Sequence, residues 1–324
     1  MPKKQKTEHR SSIEKPLYLS LVIPLFNEEE SLTELYQQIL SAVTILHEPV
    51  EIIFVDDGST DRSFDLLKQL HEQDPRVKVL RFRRNFGKSA ALSVGFQTAQ
   101  GNYIITMDAD LQDDPAEIPE LIAALEQGYD LVSGWKKRRY DPISKTIPSK
   151  LANYVTAKMT GLSIHDMNCG LKAYRREVVK EIRVYGELHR YIPALAHWAG
   201  FRIGEKIVQH HPRKYGRTKF GVSRLYKGFL DLLNVLFTTR YVRRPLHLFG
   251  VWGALSVLAG GTIDGYLVIE RIFGDTSLSN RPLFLIGFLF IIIGVQFISI
   301  GLLGEMISRQ QKTDDGYSIR DQLL

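Results

Sequence analysis

Between Tyr18 and Ser133 the chain alternates short apolar, β-branched runs with longer segments whose apolar positions recur at helical spacing. The runs Tyr18–Ile23, Glu51–Val55, Val77–Phe82, Tyr103–Met107 and Leu131–Ser133 predict strands. The segments Glu29–Leu46, Asp61–Glu72, Lys88–Ala99 and Pro115–Gln127 predict amphipathic helices. Strand–helix alternation of this kind predicts an α/β fold, a mostly parallel sheet covered on both faces. Ligands of such sheets bind beyond the carboxyl ends of the strands, so the residues that follow each strand are where chemistry is expected.

The pattern changes toward the C-terminus. Leu246 to Ile269 is apolar except for His247 and Asp264, and Pro282 to Gly304 carries no charge. At about 1.5 Å per residue, each is long enough for roughly 30 Å of hydrocarbon. A pair of buried core helices is the alternative, which the length of the uncharged run disfavours. The polar stretch Glu270 to Arg281 makes the pair a helical hairpin. Gly250, Gly253, Gly260, Gly261 and Gly265 on one span, and Gly287, Gly294, Gly301 and Gly304 on the other, permit close helix approach. Asp264, an acid within a span, is read as an interface carboxylate near water or a functional group. Upstream, Val222–Thr239 places Leu225, Phe229, Leu232, Leu233 and Leu236 at helical spacing, as in a helix lying on a bilayer or packed on a protein.

These readings divide the chain into a disordered basic tail (1–16), an α/β domain (17–221), an amphipathic interfacial helix (222–243), a transmembrane hairpin (244–308) with spans at about 246–269 and 282–304, and a second tail (309–324). Met1 to Pro16 lacks the apolar run of a signal peptide. Arg240, Arg243 and Arg244 precede the first span and Arg309 and Lys312 follow the second, whereas the intervening loop holds only Arg271 and Arg281. The positive-inside rule therefore puts both termini, and the α/β domain, in the cytoplasm: a multi-pass protein of the inner (plasma) membrane.

Composition narrows the function. The chain has 324 residues, 24% of them charged and 10% aromatic, which excludes a disordered or fibrous protein. A lone cysteine, Cys169, excludes an internal disulfide and a cysteine-based zinc cluster, and is read as a packing residue. The net charge of +6 points to an anionic partner. Nucleic acid is set aside, because the basic residues lie near the membrane segment and the loops without an aromatic-interleaved patch.

Acids nevertheless gather at the strand ends. Pro24-Leu-Phe-Asn-Glu28 follows the first strand, Asp56-Asp-Gly-Ser-Thr-Asp61 the second, and Asp108-Ala-Asp110-Leu-Gln112-Asp-Asp114 the fourth. A negative mouth on a basic protein is unfavourable unless a cation or polar ligand sits there. Asp108, Asp110 and Gln112 form a hard-oxygen set suited to Mg²⁺ or Mn²⁺ with positions left for substrate phosphates. Asp113 or Asp114, before Pro115, is also suited to capping a helix. Gly87-Lys88-Ser89 lacks the upstream glycine of a phosphate loop, since Phe82 stands there, and no G-x-G-x-x-G follows a strand. His189, His210 and His211 lack metal-ligand spacing.

Taken together, Pro24-x-Phe-Asn-Glu28, Val55-Asp-Asp57-Gly-Ser-x-Asp61, Met107-Asp-Ala-Asp110-Leu-Gln112 and the terminal hairpin resemble glycosyltransferase family 2. The resemblance is to its dolichyl-phosphate mannose synthase branch and the bacterial polyprenyl-phosphate glycosyltransferases with two spans, and runs from residue 19 to about 306. It implies a GT-A (Rossmann-like) catalytic domain and inversion at the sugar's anomeric carbon. It also implies that Pro24, Phe26, Glu28, Val55 and Asp57 hold the base and ribose of a nucleotide sugar. Phe26 stands where the family usually has tyrosine, keeping a stacking contact without the hydroxyl. Asp108, Ala109 and Asp110 would meet the diphosphate and metal, with Gln112 as a further metal ligand. Lys136 stands where relatives often carry arginine and, with Arg213 and Lys219, would contact the diphosphate. Asp166, with Asp110, is the catalytic assignment, Asp166 acting as base or acceptor-orienting carboxylate. Some two-span relatives place that base four residues later, where this chain has Gly170.

The acceptor so implied is polyprenyl (undecaprenyl or dolichyl) phosphate. Such a phosphate, with a second pKa near 6, is largely an anionic nucleophile at neutral pH. Basic residues that hold it therefore matter more than a strong base, and Lys137, Arg138, Arg139 and Lys150 are the candidates, or else a lipid-facing basic surface. The expected activity is metal-dependent transfer of one sugar, from a UDP-glucose-like donor in preference to GDP-mannose, by a protein that forms homo-oligomers through its membrane region. A processive synthase is disfavoured by the missing Q-x-x-R-W motif. A non-catalytic nucleotide-binding membrane adaptor is disfavoured by the retained Asp108 and Asp110.

Overall fold

A computed structural model describes residues 16–137, 161–162, 164–212, 214–215, 245–273 and 281–310, with side chains to 307. The expected interfacial helix and both tails lie outside the described residues. Two units divide near residue 225.

The first unit is a seven-stranded sheet of order β3-β2-β1-β4-β6-β5-β7. Its strands are β1 Leu19–Leu25, β2 Val50–Asp56, β3 Val77–Arg81, β4 Tyr103–Thr106, β5 Leu131–Trp135, β6 Lys172–Arg175 and β7 Ile203–Ile207. All pairings are parallel except those of β6 with β4 and β5. The helices are α1 Leu32–Thr44, α2 Ser63–Gln73, α3 Lys88–Thr98, α4 Ile118–Glu126, α5 Arg176–Glu181 and α6 Ile192–Trp198. Helix α1 starts three residues later than its periodicity predicts, because Glu29 and Glu30 belong to the preceding turn.

Each sheet face buries alternate residues, as the two-residue period of a strand requires. Leu19, Leu21, Ile23 and Leu25 join the core beneath α1 and α4. Val22 and Val55 meet α3 at Gly95, where the helix approaches so closely that a Cβ would strike Val22. At the opposite strand ends a buried polar knot ties three strands: Glu51 accepts from Ser20 Oγ (2.5 Å) and Gln100 N (2.7 Å) and pairs with Lys78 (2.6 Å). Burial pushes the Glu51 carboxyl up, but these bonds outweigh it and hold it below its ordinary value. A depressed folded-state pKa contributes stability above the unfolded value that is lost as pH falls. The Tm deficit of Glu51→Gln is therefore expected to be full at pH 7 and to shrink below about pH 4; a deficit independent of pH would contradict this.

Pro24 sits inside a central strand, normally an unfavourable place for a residue without an N–H. Here β4 pairs only with Leu19 to Val22, so beyond Val22 the β4 side of β1 needs no donor. There β1 and β4 diverge, at the point where strand order reverses, and a crevice opens.

The second unit is a hairpin of two 29-residue helices, α7 Pro245–Phe273 and α8 Pro282–Gln310, both long and apolar enough to cross a membrane. Glycines line their contact at seven-residue spacing. A Cβ at Gly253 would lie 2.7 Å from the Gly294 carbonyl, and one at Gly301 would lie 3.2 Å from Leu246. Gly260, Gly287 and Gly304 are similarly crowded by the facing helix, whereas Gly250, Gly261 and Gly265 are not, which corrects their expected role in close approach. Asp264 packs against Gly287, one carboxylate oxygen buried between the helices. Arg281 clasps Glu270 at the open end, at 2.5 and 3.0 Å. Outward-facing side chains such as Trp252, Leu258 and Phe288 are more than half exposed, as expected of a lipid-facing surface. Gly260→Leu is expected to cost about 1–3 kcal/mol of hairpin stability by overpacking, and Gly261→Leu almost nothing. Crosslinking of cysteine pairs placed across the two helices reads the difference.

Candidate active site

The crevice is built from three strand-end loops. Those after β1 and β2 are laced together: Asn27 N donates to Ser59 Oγ (2.9 Å), Glu28 N to Ser63 Oγ (2.9 Å) and Thr60 N to Asn27 Oδ1 (2.8 Å). Asn27 adopts a positive φ of 56°, a conformation asparagine tolerates. Asp56 binds Ser59 N and Arg81, while Asp61 accepts from Glu29 N and Ser63 N. Asp57 receives the Phe86 and Gly87 N–H groups at 2.7 and 2.9 Å, which anchors the loop after β3. Burial raises its pKa against those two bonds. Phe26 and Glu28 are half-buried at the crevice, and Val55 is fully buried within β2.

The loop after β4 carries the aspartates. Asp108 rests on the backbone of Gly170, where a Cβ would approach its carboxyl carbon to 2.7 Å. A side chain at position 170 would displace Asp108, which accounts for glycine there. Lys88, at the start of α3, places its ammonium on Asp108 Oδ1. Burial opposes the Asp108 charge, yet Lys88, with Lys136 and Lys172 beyond it, holds the carboxyl at about 2. Asp110 is buried and accepts from Gln112 N at 3.3 Å. Between them Leu111 is left-handed at φ 60°, a strained state for leucine that surrounding contacts must hold. Asp113 supplies one such contact, accepting the Asp108 N–H at 3.1 Å while pairing with Lys136 at 2.7 Å. Of the two capping candidates, Asp114 caps, accepting from Ala116 N at 2.9 Å.

Lys136 therefore points into the protein. Burial works against its charge, but Asp113, together with Cys169 and Asp108, outweighs it and raises its pKa. Lys137 is exposed, its ammonium 5.6 Å from the centre of the Trp135 ring. Arg138, Arg139, Lys150, Arg213 and Lys219 lie outside the described residues. The described residues flanking Arg213 cross the aspartate loop: His211 N donates to the Gln112 carbonyl (3.0 Å), and Lys214 pairs with Glu34 (2.8 Å).

Behind Asp108 a cleft of about 10 Å³ is lined by Pro24, Lys88, Lys172, Tyr174 and His189 among others. Burial lowers the Lys172 ammonium, which donates to the Cys169 carbonyl. Burial and Lys88 push His189 down to about 3, so its ring is neutral at pH 7 and contacts Ser89 Oγ at 2.9 Å. Cys169 is buried and its thiol pushed up to about 12, which suits packing and not nucleophilic attack. A wider hollow beside Leu40, Ile45 and His47 contains no carboxylate.

Asp166 is almost fully buried, its N–H bonded to Glu205 Oε1 (2.8 Å) and its carbonyl to Ser133 Oγ (3.2 Å). The sequence pattern did not single out Lys172, Glu205 or Ser133, and passed over Lys88 and His189 as parts of incomplete motifs. Ser133, Lys172 and Glu205 lie on β5, β6 and β7, where only a cross-strand register would have pointed to them, and Lys88 and His189 meet the site through tertiary packing alone.

Among the described residues no three His, Cys, Asp or Glu side chains form a metal cage. The donor set Asp108, Asp110 and Gln112 fits a hard divalent cation that keeps positions for substrate oxygens. The Lys88 ammonium already stands on Asp108 where positive charge is favoured.

A family model described as "Glycosyl transferase family 2" matches residues 20–183. The dodecaprenyl-phosphate galacturonate synthase of Rhizobium johnstonii is 40% identical, over 92% of this chain and 90% of that protein. The undecaprenyl-phosphate 4-deoxy-4-formamido-L-arabinose transferase of Yersinia enterocolitica is 38% identical, again over 92% and 90%. Among solved structures, glucosyl-3-phosphoglycerate synthase from Mycobacterium tuberculosis with Mn²⁺ and UDP-glucose superposes with a TM-score of 0.51 at 19% identity, covering 69% of this chain and 79% of that one. That last likeness is one of fold, the GT-A arrangement.

Proposed function

We propose, since the chain belongs to glycosyltransferase family 2, that it transfers one sugar from a nucleotide sugar to a polyprenyl phosphate, with inversion, at the cytoplasmic face of a membrane its hairpin crosses. One observation carries this reading: a strand-end aspartate site and an apolar helical hairpin occur together in a chain that matches, over 92% of its length, enzymes named for polyprenyl-phosphate products and acceptors. A soluble acceptor would give no reason for the hairpin.

In this reading Pro24, Phe26, Glu28, Val55 and Asp57 form the nucleoside end of the site and Ala109 lies under the diphosphate. Asp108, Asp110 and Gln112 would hold Mg²⁺ or Mn²⁺, whose charge offsets that of the departing diphosphate. Arg213 and Lys219 add positive charge on the same group. Lys137, Arg138, Arg139 and Lys150 hold the lipid phosphate, and Asp166 orients it. A phosphate oxygen attacks the anomeric carbon from the face opposite the diphosphate. The new carbon–oxygen bond forms as the old one breaks, and its electron pair leaves on the nucleoside diphosphate. A dianionic phosphate brings no proton to this step, so Asp166 need not act as a strong base.

The donor in this reading is UDP-linked and glucose-like, with GDP-mannose the alternative. The test uses the full chain in detergent with undecaprenyl phosphate, Mn²⁺ or Mg²⁺, and a panel of UDP-glucose, UDP-galacturonate, UDP-4-deoxy-4-formamido-L-arabinose and GDP-mannose. A lipid-linked sugar from a UDP donor is expected. Product only from GDP-mannose would move the donor to the alternative. Donor hydrolysis without lipid product would overturn the acceptor.

A further inference from the structure

We infer that Glu205 is a positioning residue for the acceptor side of this reaction, an inference that rests on the reading of Asp166 as the acceptor-orienting carboxylate. Glu205 lies on β7 with a side chain only 12% exposed. Its Oε1 accepts two successive backbone N–H groups, His165 and Asp166, each at 2.8 Å, and its Oε2 meets His165 Nδ1 at 2.7 Å. Hydrogen bonds to an ionised acceptor are the strong kind, and three on one carboxylate leave the 165–166 segment little freedom. Ser133, opposite Glu205 in the β5–β7 register, completes the clamp by donating to the Asp166 carbonyl at 3.2 Å. Both backbone polar groups of Asp166 are thus held by cross-strand neighbours.

The same carboxylate reaches a second acceptor residue. Two positions along β5 from Ser133, Trp135 stacks on the His165 ring, centroids 4.0 Å apart and planes 11° from parallel. The Lys137 ammonium lies 5.6 Å from the Trp135 ring centre. Glu205 therefore orients Asp166 through its peptide and Lys137 through the His165–Trp135 stack. These are the two described groups assigned to the lipid phosphate. A charged clamp has a purpose here, because a displacement of about 1 Å in a group that aligns reactants costs up to ~10²-fold in rate.

The test compares Glu205→Ala, Glu205→Gln and Asp166→Asn in the full chain, with undecaprenyl phosphate as acceptor and whichever of UDP-glucose and UDP-galacturonate the unmodified protein uses. Glu205→Ala is expected to lower kcat/KM for the lipid about 30-fold, chiefly through KM, while the affinity for UDP with Mn²⁺ stays within about twofold. Glutamine keeps an oxygen for the two N–H groups and can donate to Nδ1 of the other histidine tautomer, so Glu205→Gln is expected to recover most of the activity. Should Glu205→Ala fail to fold, Ser133→Ala, which opens the other side of the clamp, is expected to raise the lipid KM in the same sense. An inactive Asp166→Asn beside unchanged Glu205 and Ser133 variants would overturn the inference and leave the function standing. A fully active Asp166→Asn would overturn the assignment of Asp166, and this inference with it. Equal loss of UDP affinity and lipid KM in all variants would show a merely structural role and also overturn it.

Discussion

Asp110→Ala is expected to lower sugar transfer by about 10³-fold, the order seen when one preorganised group that offsets transition-state charge is removed, while leaving the melting temperature unchanged or slightly raised. Asp110 is buried in the loop after β4, two residues from Asp108, and accepts from Gln112 N at 3.3 Å. Asp108 and Asp113 are each paired with a lysine, and a further carboxylate so close to Asp108 in the chain is unfavourable unless a bound cation offsets it. A residue kept for charge on a ligand and not for packing should therefore move activity and stability in opposite directions. Asp110→Asn keeps an acceptor for Gln112 N but lacks the charge, so a comparable loss is expected with the turn intact. Transfer to undecaprenyl phosphate and Mn²⁺ affinity by electron paramagnetic resonance read the two effects separately. More than a tenth of wild-type transfer in Asp110→Ala would remove Asp110 from the metal site.

Lys136→Met is expected to act on stability first. The Asp113 side chain is fully buried and Lys136 is 13% exposed, 2.7 Å away. Removing one partner of a buried pair strands the other charge, at a cost of about 3–5 kcal/mol. For a domain of this size that is on the order of 10 °C in Tm. The loss would spread to the site, because Asp113 also holds the Asp108 N–H and helps restrain the left-handed turn at Leu111. Pairing Lys136→Met with Asp113→Asn removes both charges, and the double variant is expected to be more stable than Lys136→Met alone. The family resemblance implies a contact of Lys136 with the donor diphosphate. Unchanged Tm with a raised donor KM would return it there.

The same contrast runs through the rest of the molecule. Strands β1 to β5 and the four helices between them were legible because their apolar positions follow one period for long enough to be counted. Strands β6 and β7 were not: Lys172-Ala-Tyr-Arg175 and Ile203-Gly-Glu-Lys-Ile207 are short and rich in charge. They become strands only because β4 and β5 offer edges. The antiparallel β6 carries Lys172 beneath Asp108, and β7 carries Glu205 under Asp166, so missing those strands also hid half the surroundings of the site.

What the sequence by itself determined is what depends on neighbours along the chain: the alternating α/β pattern, the uncharged spans, the motifs at strand ends and the family they resemble. The tertiary structure decided which charges are available for chemistry. The acids all looked alike in the sequence, yet Asp61 holds the turn at Ser63, Asp113 pairs with Lys136 and Asp114 caps Ala116. Among the hairpin glycines likewise, Gly260 meets the facing helix while Gly261 does not. The physical reason is common to both. Hydropathy and backbone propensity act over a few residues, whereas an ion pair or a close contact is set by a partner tens of residues away, brought near only when the strands align.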